Sequence, residues 1–360
     1  MNAKGRAKLL EKLLTDANES ARAFAQFGGD LAAVRMRLLT TQYAELVAKL
    51  VDRLEVDETG RILTNKANLE LRKMIDQTSG AFRKAVSAPY GPLRDAGMAL
   101  AGSVEAGSKA MRAVLKATKV DDAAVSAFDT DAVLYGKAVW QKGALKIATN
   151  LSEQVNGVVT DAIMRYAGDK DTLISRLFSP KGLEHFKARN AEMKAAALEL
   201  SGKAKDLIAE LKAGRLDIAQ VRDTYRSEVS AYIADRKAYL EAGQTPSLFE
   251  DMRHEQESIT VAKKQIIEAH QDSVYRSAAK ALPKTTLWVN AKNTGFEDNC
   301  VDAMNADPMT MEQWKASEFG LPRSDKRDCT VYCECILFPV GNDDIATGAD
   351  ISDIPEGADL

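Results

Sequence analysis

The chain has no cysteine before Cys300, only three histidines, few aromatic residues and no long apolar run. Each shortage excludes something. A secretory signal needs an uninterrupted apolar core of roughly 7–15 residues. The first residues instead interleave Lys4, Arg6, Lys8 and Lys12 with their leucines. No stretch approaches the roughly 18 apolar residues of a membrane span. The expectation is therefore a chain made and assembled in a cytoplasm, where a cysteine cluster is more often reduced or metal-bound than oxidised. A net charge of −3 and a pI near 5.8 exclude a global basic field that would draw in nucleic acid or an anionic membrane.

What is abundant is alanine, leucine and lysine at helical spacing, and 360 residues are enough for two or three domains. A first helix is expected over 2–26, closed by Gly28-Gly29. Asp30 then reads as the N-cap of a second helix to about 54, with Leu31, Val34, Leu38, Leu39, Tyr43 and Leu46 on one face. After a polar turn at 56–63, Thr64 or Asn65 caps a third helix through Leu69, Leu71, Ile75 and Phe82. Ala88-Pro89-Tyr90-Gly91-Pro92 breaks the chain. Helical patterning returns over 93–119 and 123–158, where glycines predict bends or interruptions. They form no phosphate loop, since no strand precedes them and no G-K-[ST] follows.

Residues 169–182 read as another break. The stretch 183–242 is a charge-laced helical hairpin divided near Gly214 and Asp217, its charges a solvated face. Gly243 to Ser247 interrupts, and a last helix is expected over 255–282 before Pro283. Two strand-like runs follow, around Trp288 and around 333–340, with some thirty residues of polar loop between them. The acidic stretch 342–360 reads as disordered. The expected fold is mainly α, with long helical hairpins or a bundle and a small cysteine-bearing α+β module at the C-terminal end. Its expected divisions are 1–88, 89–182, 183–283, 284–340 and 341–360.

Chemistry is concentrated in 287–340, which holds Cys300, Cys329, Cys333 and Cys335. On a strand, Cys333 and Cys335 share a face, because side chains alternate with period two. Four thiolates on two paired strands are a candidate structural zinc site. Their spacing, C-x28-C-x3-C-x-C, is no standard finger, so one or two disulfides and packed thiols stay open as alternatives. Each of these is a staple for a module with little core. A thiol nucleophile needs a base, and the module has no histidine. His185, His254 and His270 lie on expected helices or at their edges, and His270 reads as a surface residue. His254-Glu255 begins an H-E-x-x-H motif that Ser258 breaks. Asp121-Asp122 and Asp343-Asp344 read as cap or tail residues, and Trp140, Trp288 and Trp314 as core anchors. Lys315, Arg323, Lys326 and Arg327 would supply a basic surface if the module bound nucleic acid.

The order of features over 259–340 resembles the C-terminal domain of the phage Mu-F-like head morphogenesis family, also called minor capsid or minor head proteins. These features are an amphipathic helix, the strand Leu287-Trp288-Val289, the turn Asp298-Asn299-Cys300, a loop, and Cys333-Glu334-Cys335 running into an apolar strand that ends in Pro339-Val340. Typical members carry an acidic residue leading into C-x-x-C and a later H-P-x-C-R-C. Here Ala303 replaces the second cysteine, Thr330 occupies the place of the histidine, Tyr332 precedes Cys333, and Glu334 replaces the arginine. Cys329 is the candidate for the missing ligand. The stretch beginning Asp57-Glu58-Thr59-Gly60-Arg61 also resembles a linker near the start of phage head proteins. The resemblance implies a structural virion protein without enzymatic activity, made in the host cytoplasm and placed in the phage head. Its implied partners are the portal protein or major capsid protein, with packaged DNA and other copies of itself as further contacts. The alternatives are a zinc-stapled nucleic-acid-binding module and a co-delivered effector.

Overall fold

A computed structural model of the protein describes residues 3–88, 93–118, 123–165, 168–241, 248–249, 253–271, 284–290, 302–303, 305–321, 326 and 337–340. The long helices are α1 (Ala3–Asp52), α2 (Lys66–Ser87), α3 (Leu93–Thr118), α4 (Ala123–Thr160), α6 (Leu183–Lys212), α7 (Ile218–Glu241) and α8 (Arg253–Gln271). The short α5 (Lys170–Leu177) lies between α4 and α6, and α9 (Met311–Ala316) lies in a small sheet region. That sheet contains β1 (Leu287–Asn290), β2 (Met309–Thr310) and β3 (Leu337–Val340). The fold is mainly α with a small α+β module, as the periodicity predicts. The chain divides into two compact units. One draws on Met1–Ala21, Ser103–Val133 and Ile267–Leu360, and the other on Arg22–Gly102 and Leu134–Ile266.

The larger unit is built on α1. From Phe27 to Thr41 every residue except Arg35 is buried, so this part of α1 is enclosed on all sides rather than on one stripe. Gly28 and Gly29 lie inside the helix and do not end it, which corrects the expected helix–turn–helix. The reason is packing. A Cβ on Gly28 would overlap Ile266 and lie 2.9 Å from the Ala99 methyl, and one on Gly29 would lie 3.1 Å from Lys263 Cγ. Each glycine costs about 1 kcal/mol of helix propensity against alanine. In return it lets neighbouring helices approach closely. Gly102 against the Phe24 ring and Gly143, 2.7 Å from Val261, act alike, so the glycines of α3 and α4 interrupt neither helix. The helical geometry of α4 changes only at its end, in a π turn at Asp161–Arg165.

An aromatic cluster fills the base of this unit. Tyr43 stacks on Phe82 at 4.5 Å, and Phe249 meets Tyr43 and Phe178, each at 5.6 Å. The polar turn after α1 is firmly made: Asp57 Oδ1 accepts from the Thr59 and Arg61 amides and the Thr59 hydroxyl, and Gly60 takes φ +84°. Asn65 is the N-cap of α2, accepting from the Asn68 amide. The expected break at 169–182 contains α5, because Asp169 caps it through the Thr172 amide while Leu173, Ile174 and Leu177 are buried.

The hairpin of α6 and α7 is as read. Leu183, Phe186, Asn190, Met193, Ala197, Leu200 and Ala204 are the buried residues of α6, alternating three and four apart, the spacing of a coiled-coil seam. Its charges pair along the surface, as in Lys187–Glu184 and Lys203–Glu228. At the turn, Gly214 takes φ +67° and Asp217 caps α7 by accepting from the Gln220 amide.

In the smaller unit the strand order is β2-β1-β3, with both pairings antiparallel. Leu287 pairs with Val340 and Asn290 with Leu337. The stretch expected as polar loop holds β2 and α9, because Thr310 and Gln313 form a capping box and Met311 and Trp314 are buried. The predicted ends of the last long helix beyond 271, and the stretches 242–247 and 342–360, lie outside the described residues.

Candidate functional site

Cys300, Cys329, Cys333 and Cys335 all lie outside the described residues, as do Asp121-Asp122, Asp343-Asp344, Arg323, Arg327 and the side chain of Trp140. The frame that flanks the cysteines is described. Trp288 and Trp314 are both fully buried, and the Trp314 indole N–H donates to the Trp288 carbonyl at 2.8 Å. β3, which begins two residues after Cys335, runs antiparallel beside β1. Asn290, the last residue of β1, is buried on the face it shares with its cross-strand partner Leu337. Neither its amide oxygen nor its amide nitrogen has a hydrogen-bond partner among the described residues. Ala303 is buried too. Among the described residues no group of three or more metal-ligating side chains comes together.

Two residues of the expected basic surface are described. Lys326 Nζ donates to the carbonyls of Lys315, Ala316 and Ser317, at 3.1, 3.3 and 2.6 Å. It caps the C-terminal end of α9, where a cation is favoured by the helix dipole.

His270 is 1% exposed, with Nδ1 2.8 Å from the Ser103 carbonyl, and this corrects its reading as a surface residue. It follows Ile266 by four positions and so falls on the same buried face of α8. His254 is buried at the start of the same helix. The broken H-E-x-x-H motif loses its base as well as its second histidine: Glu255 is buried and ion-paired with Arg37, whose Nη1 also donates to the Phe249 carbonyl at 2.5 Å.

A second buried charge lies two helical turns before Arg37. Asp30 is fully buried, and its Oδ1 accepts from Arg226 Nη1 at 2.7 Å. Burial pushes the Asp30 carboxyl above the usual carboxylate range, against the opposing pull of Arg226 and Lys263. Burial likewise holds the Lys263 ammonium below the ordinary lysine value, against the pull of Asp30. Asp30 and Arg37 on α1 thus oppose Lys263 and Glu255 on α8, in reversed order. Only an antiparallel α8 matches both pairs, and a parallel one would face like charges. Sequence reasoning took Asp30 for a helix N-cap, whereas it lies inside α1, and passed over Arg37 because a charged residue on a helix is ordinarily solvated. The available signal was that each sits among residues too small or too apolar to form an exposed face.

Compared with protein-family models, curated proteins and solved structures, the chain matches none. No helix of the described residues is long and apolar enough to cross a membrane.

Proposed function

We propose that the protein is a structural component of a phage head, a minor capsid or head morphogenesis protein that works beside the portal in head assembly or in DNA packaging and ejection. The observation that carries this reading is the order of parts over 287–340. A tryptophan-bearing strand and a short apolar strand ending in Pro339-Val340 flank the cysteine segment and pair antiparallel. The body before this module is helical, with a coiled-coil-like hairpin, and suits contacts with other proteins better than a reaction. The only motif resembling an enzyme's has its glutamate committed to Arg37.

In this reading Cys300, Cys329, Cys333 and Cys335 hold a structural zinc, and the metal supplies a cross-link, not chemistry. Ala303 cannot ligate, so Cys329 completes the set. The working surfaces then lie on the helices. Co-expression with the portal and major capsid proteins of the same phage tests the reading. Co-purification with portal or capsid assemblies is the expected result, and a chain that elutes alone with both partners folded overturns it. Elemental analysis of the purified chain tests the staple: near one zinc per chain is expected, and none in a fully reduced, folded sample removes it.

A further inference from the structure

Over its C-terminal part α1 keeps one stripe open. Arg35, Leu39, Gln42, Leu46 and Lys49 follow one another four and three residues apart, which places them on one face. Arg53 comes four residues later, in the turn just past the helix. Gln42, Lys49 and Arg53 are exposed and Leu46 is 50% exposed, while Leu39 is buried and Arg35 half-buried. Earlier on the same face α3 covers α1, with Phe24 against Gly102 and Gly28 against Ala99. That antiparallel approach brings Leu93, where α3 begins, beside Arg35. The open stripe therefore starts where α3 runs out.

Two helices of the same unit border the stripe. To one side of it Tyr43 stacks on Phe82 of α2, and to the other Glu45 and Asp52 pair with Lys194 and Lys187 of α6. Each border adds an apolar side chain. Met74, on the face of α2 turned from the Asp76–Asn156 contact with α4, is 43% exposed. Leu198, one turn beyond Lys194 on α6, is 51% exposed. The charges of α1 are sorted by sign. Its acidic residues from Asp30 onward, Asp30, Glu45 and Asp52, are all ion-paired. Of the bases from Arg35 to Arg53, Arg37 is paired, and Arg35, Lys49 and Arg53 make no ion pair among the described residues. The helix dipole favours cations at Lys49 and Arg53. It does not account for Arg35 in mid-helix, whose Nε is buried without a hydrogen-bond partner.

Leucines set between unpaired cations fit a segment that interleaves carboxylates with apolar side chains. The sequence holds such a segment. Residues 342–360 have six acidic residues and no basic one, with Ile345, Ile351 and Ile354 among them. Six negative charges out of a chain total of −3 leave the other residues at +3, so one copy's tail is attracted to another copy's body. We propose that the stripe over 35–53 is the docking site for the acidic segment 343–356 of a second copy of the chain. Carboxylates of the segment pair with Arg35, Lys49 and Arg53, and its isoleucines cover Leu46 and the apolar borders. The contact is heterologous and joins copies head to tail. Ordering the segment offsets part of the attraction, which leaves the affinity modest and salt-sensitive. This docking does not depend on the virion reading.

Two measurements on the full chain test it. A fluorescent peptide of residues 341–360, titrated with the chain, is expected to bind saturably at low salt and to weaken as salt rises. Lys49→Glu with Arg53→Glu is expected to weaken that binding on the order of tenfold or more. Both residues are exposed, so the melting temperature should hardly change. A peptide with serine at the three isoleucine positions is expected to bind more weakly than the native one. In sedimentation velocity the wild-type chain is expected to associate as its concentration rises at low salt, and the double variant to stay monomeric. No saturable binding, or binding untouched by the charge reversals, overturns the proposal. Equal binding of the serine peptide shows bare charge attraction and overturns it too. So does peptide binding without self-association, which puts the segment on its own chain. Duplex DNA that binds through the same cations when the peptide does not would assign the stripe to phosphate and overturn it as well.

Discussion

Replacing Arg37 by methionine keeps most of the side-chain volume and removes the guanidinium. Arg37 is 2% exposed and Glu255 6%, so the variant strands a carboxylate in the interior and leaves the Phe249 carbonyl without its donor. Breaking a buried pair by removing one partner costs about 3–5 kcal/mol. Because Arg37 ties α1 to α8 and to the aromatic cluster through Phe249, that cost falls on the enclosed part of α1. Native-state hydrogen exchange reads it locally, without assuming that a two-unit chain unfolds in one step. The amides of 30–41 should lose protection by roughly 10²- to 10⁴-fold, the equivalent of those energies. Arg37→Met combined with Glu255→Leu removes both charges and should recover most of the loss, since an apolar pair of similar volume is close to neutral. A folded Arg37→Met variant with protection within a few-fold of wild type would refute the reasoning. So would a double variant no better than the single one.

Gly28→Ala should lower the melting temperature: alanine gains about 1 kcal/mol of helix propensity, but its methyl overlaps Ile266, and overpacking costs about 1–3 kcal/mol. A rise in melting temperature would show that the close approach does not matter. Tyr43 is pushed up to about 12 by burial, despite its bond to Ser79. The unfolded phenol ionises first, so stability should fall as pH rises from about 10 to 12, and Tyr43→Phe should flatten that fall in urea titrations. Asp30 works in the same sense at acid pH. Its folded pKa lies above 3.8, so the native state holds the proton more tightly and this contribution declines as pH rises from the unfolded toward the folded value. Asp30→Asn should remove that decline, measured as the pH slope of the denaturation midpoint.

Much of the helical body was legible because its signals are local. Asn65 capping α2, the breaker at Pro89 and the Gly214–Asp217 turn each act within a few residues, and the structure places helix ends there. Where reading failed, the deciding contact came from far along the chain. Gly28-Gly29 looks like a stop until Ala99, Lys263 and Ile266 are known to press on it. His270 looks solvated until Ser103 meets it. The break after Asp169 hid α5 because three apolar residues in eight are too few to show a period, although Asp169 and Thr172 carry the cap. The two strands flanking the cysteines were visible from Trp288 and the apolar run at Leu337 as a pair, and the structure adds that they run antiparallel. Asn290 was not, since nothing in a strand's alternation marks a buried amide without partners.

The proposed role is that of a structural protein of a phage head. Quantitative mass spectrometry of gradient-purified, DNA-filled heads tests it most directly. The chain is expected intact in the particles, in a small number of copies comparable to the portal. Particles complete in portal and major capsid protein but lacking the chain, while it stays in the host lysate, would contradict it.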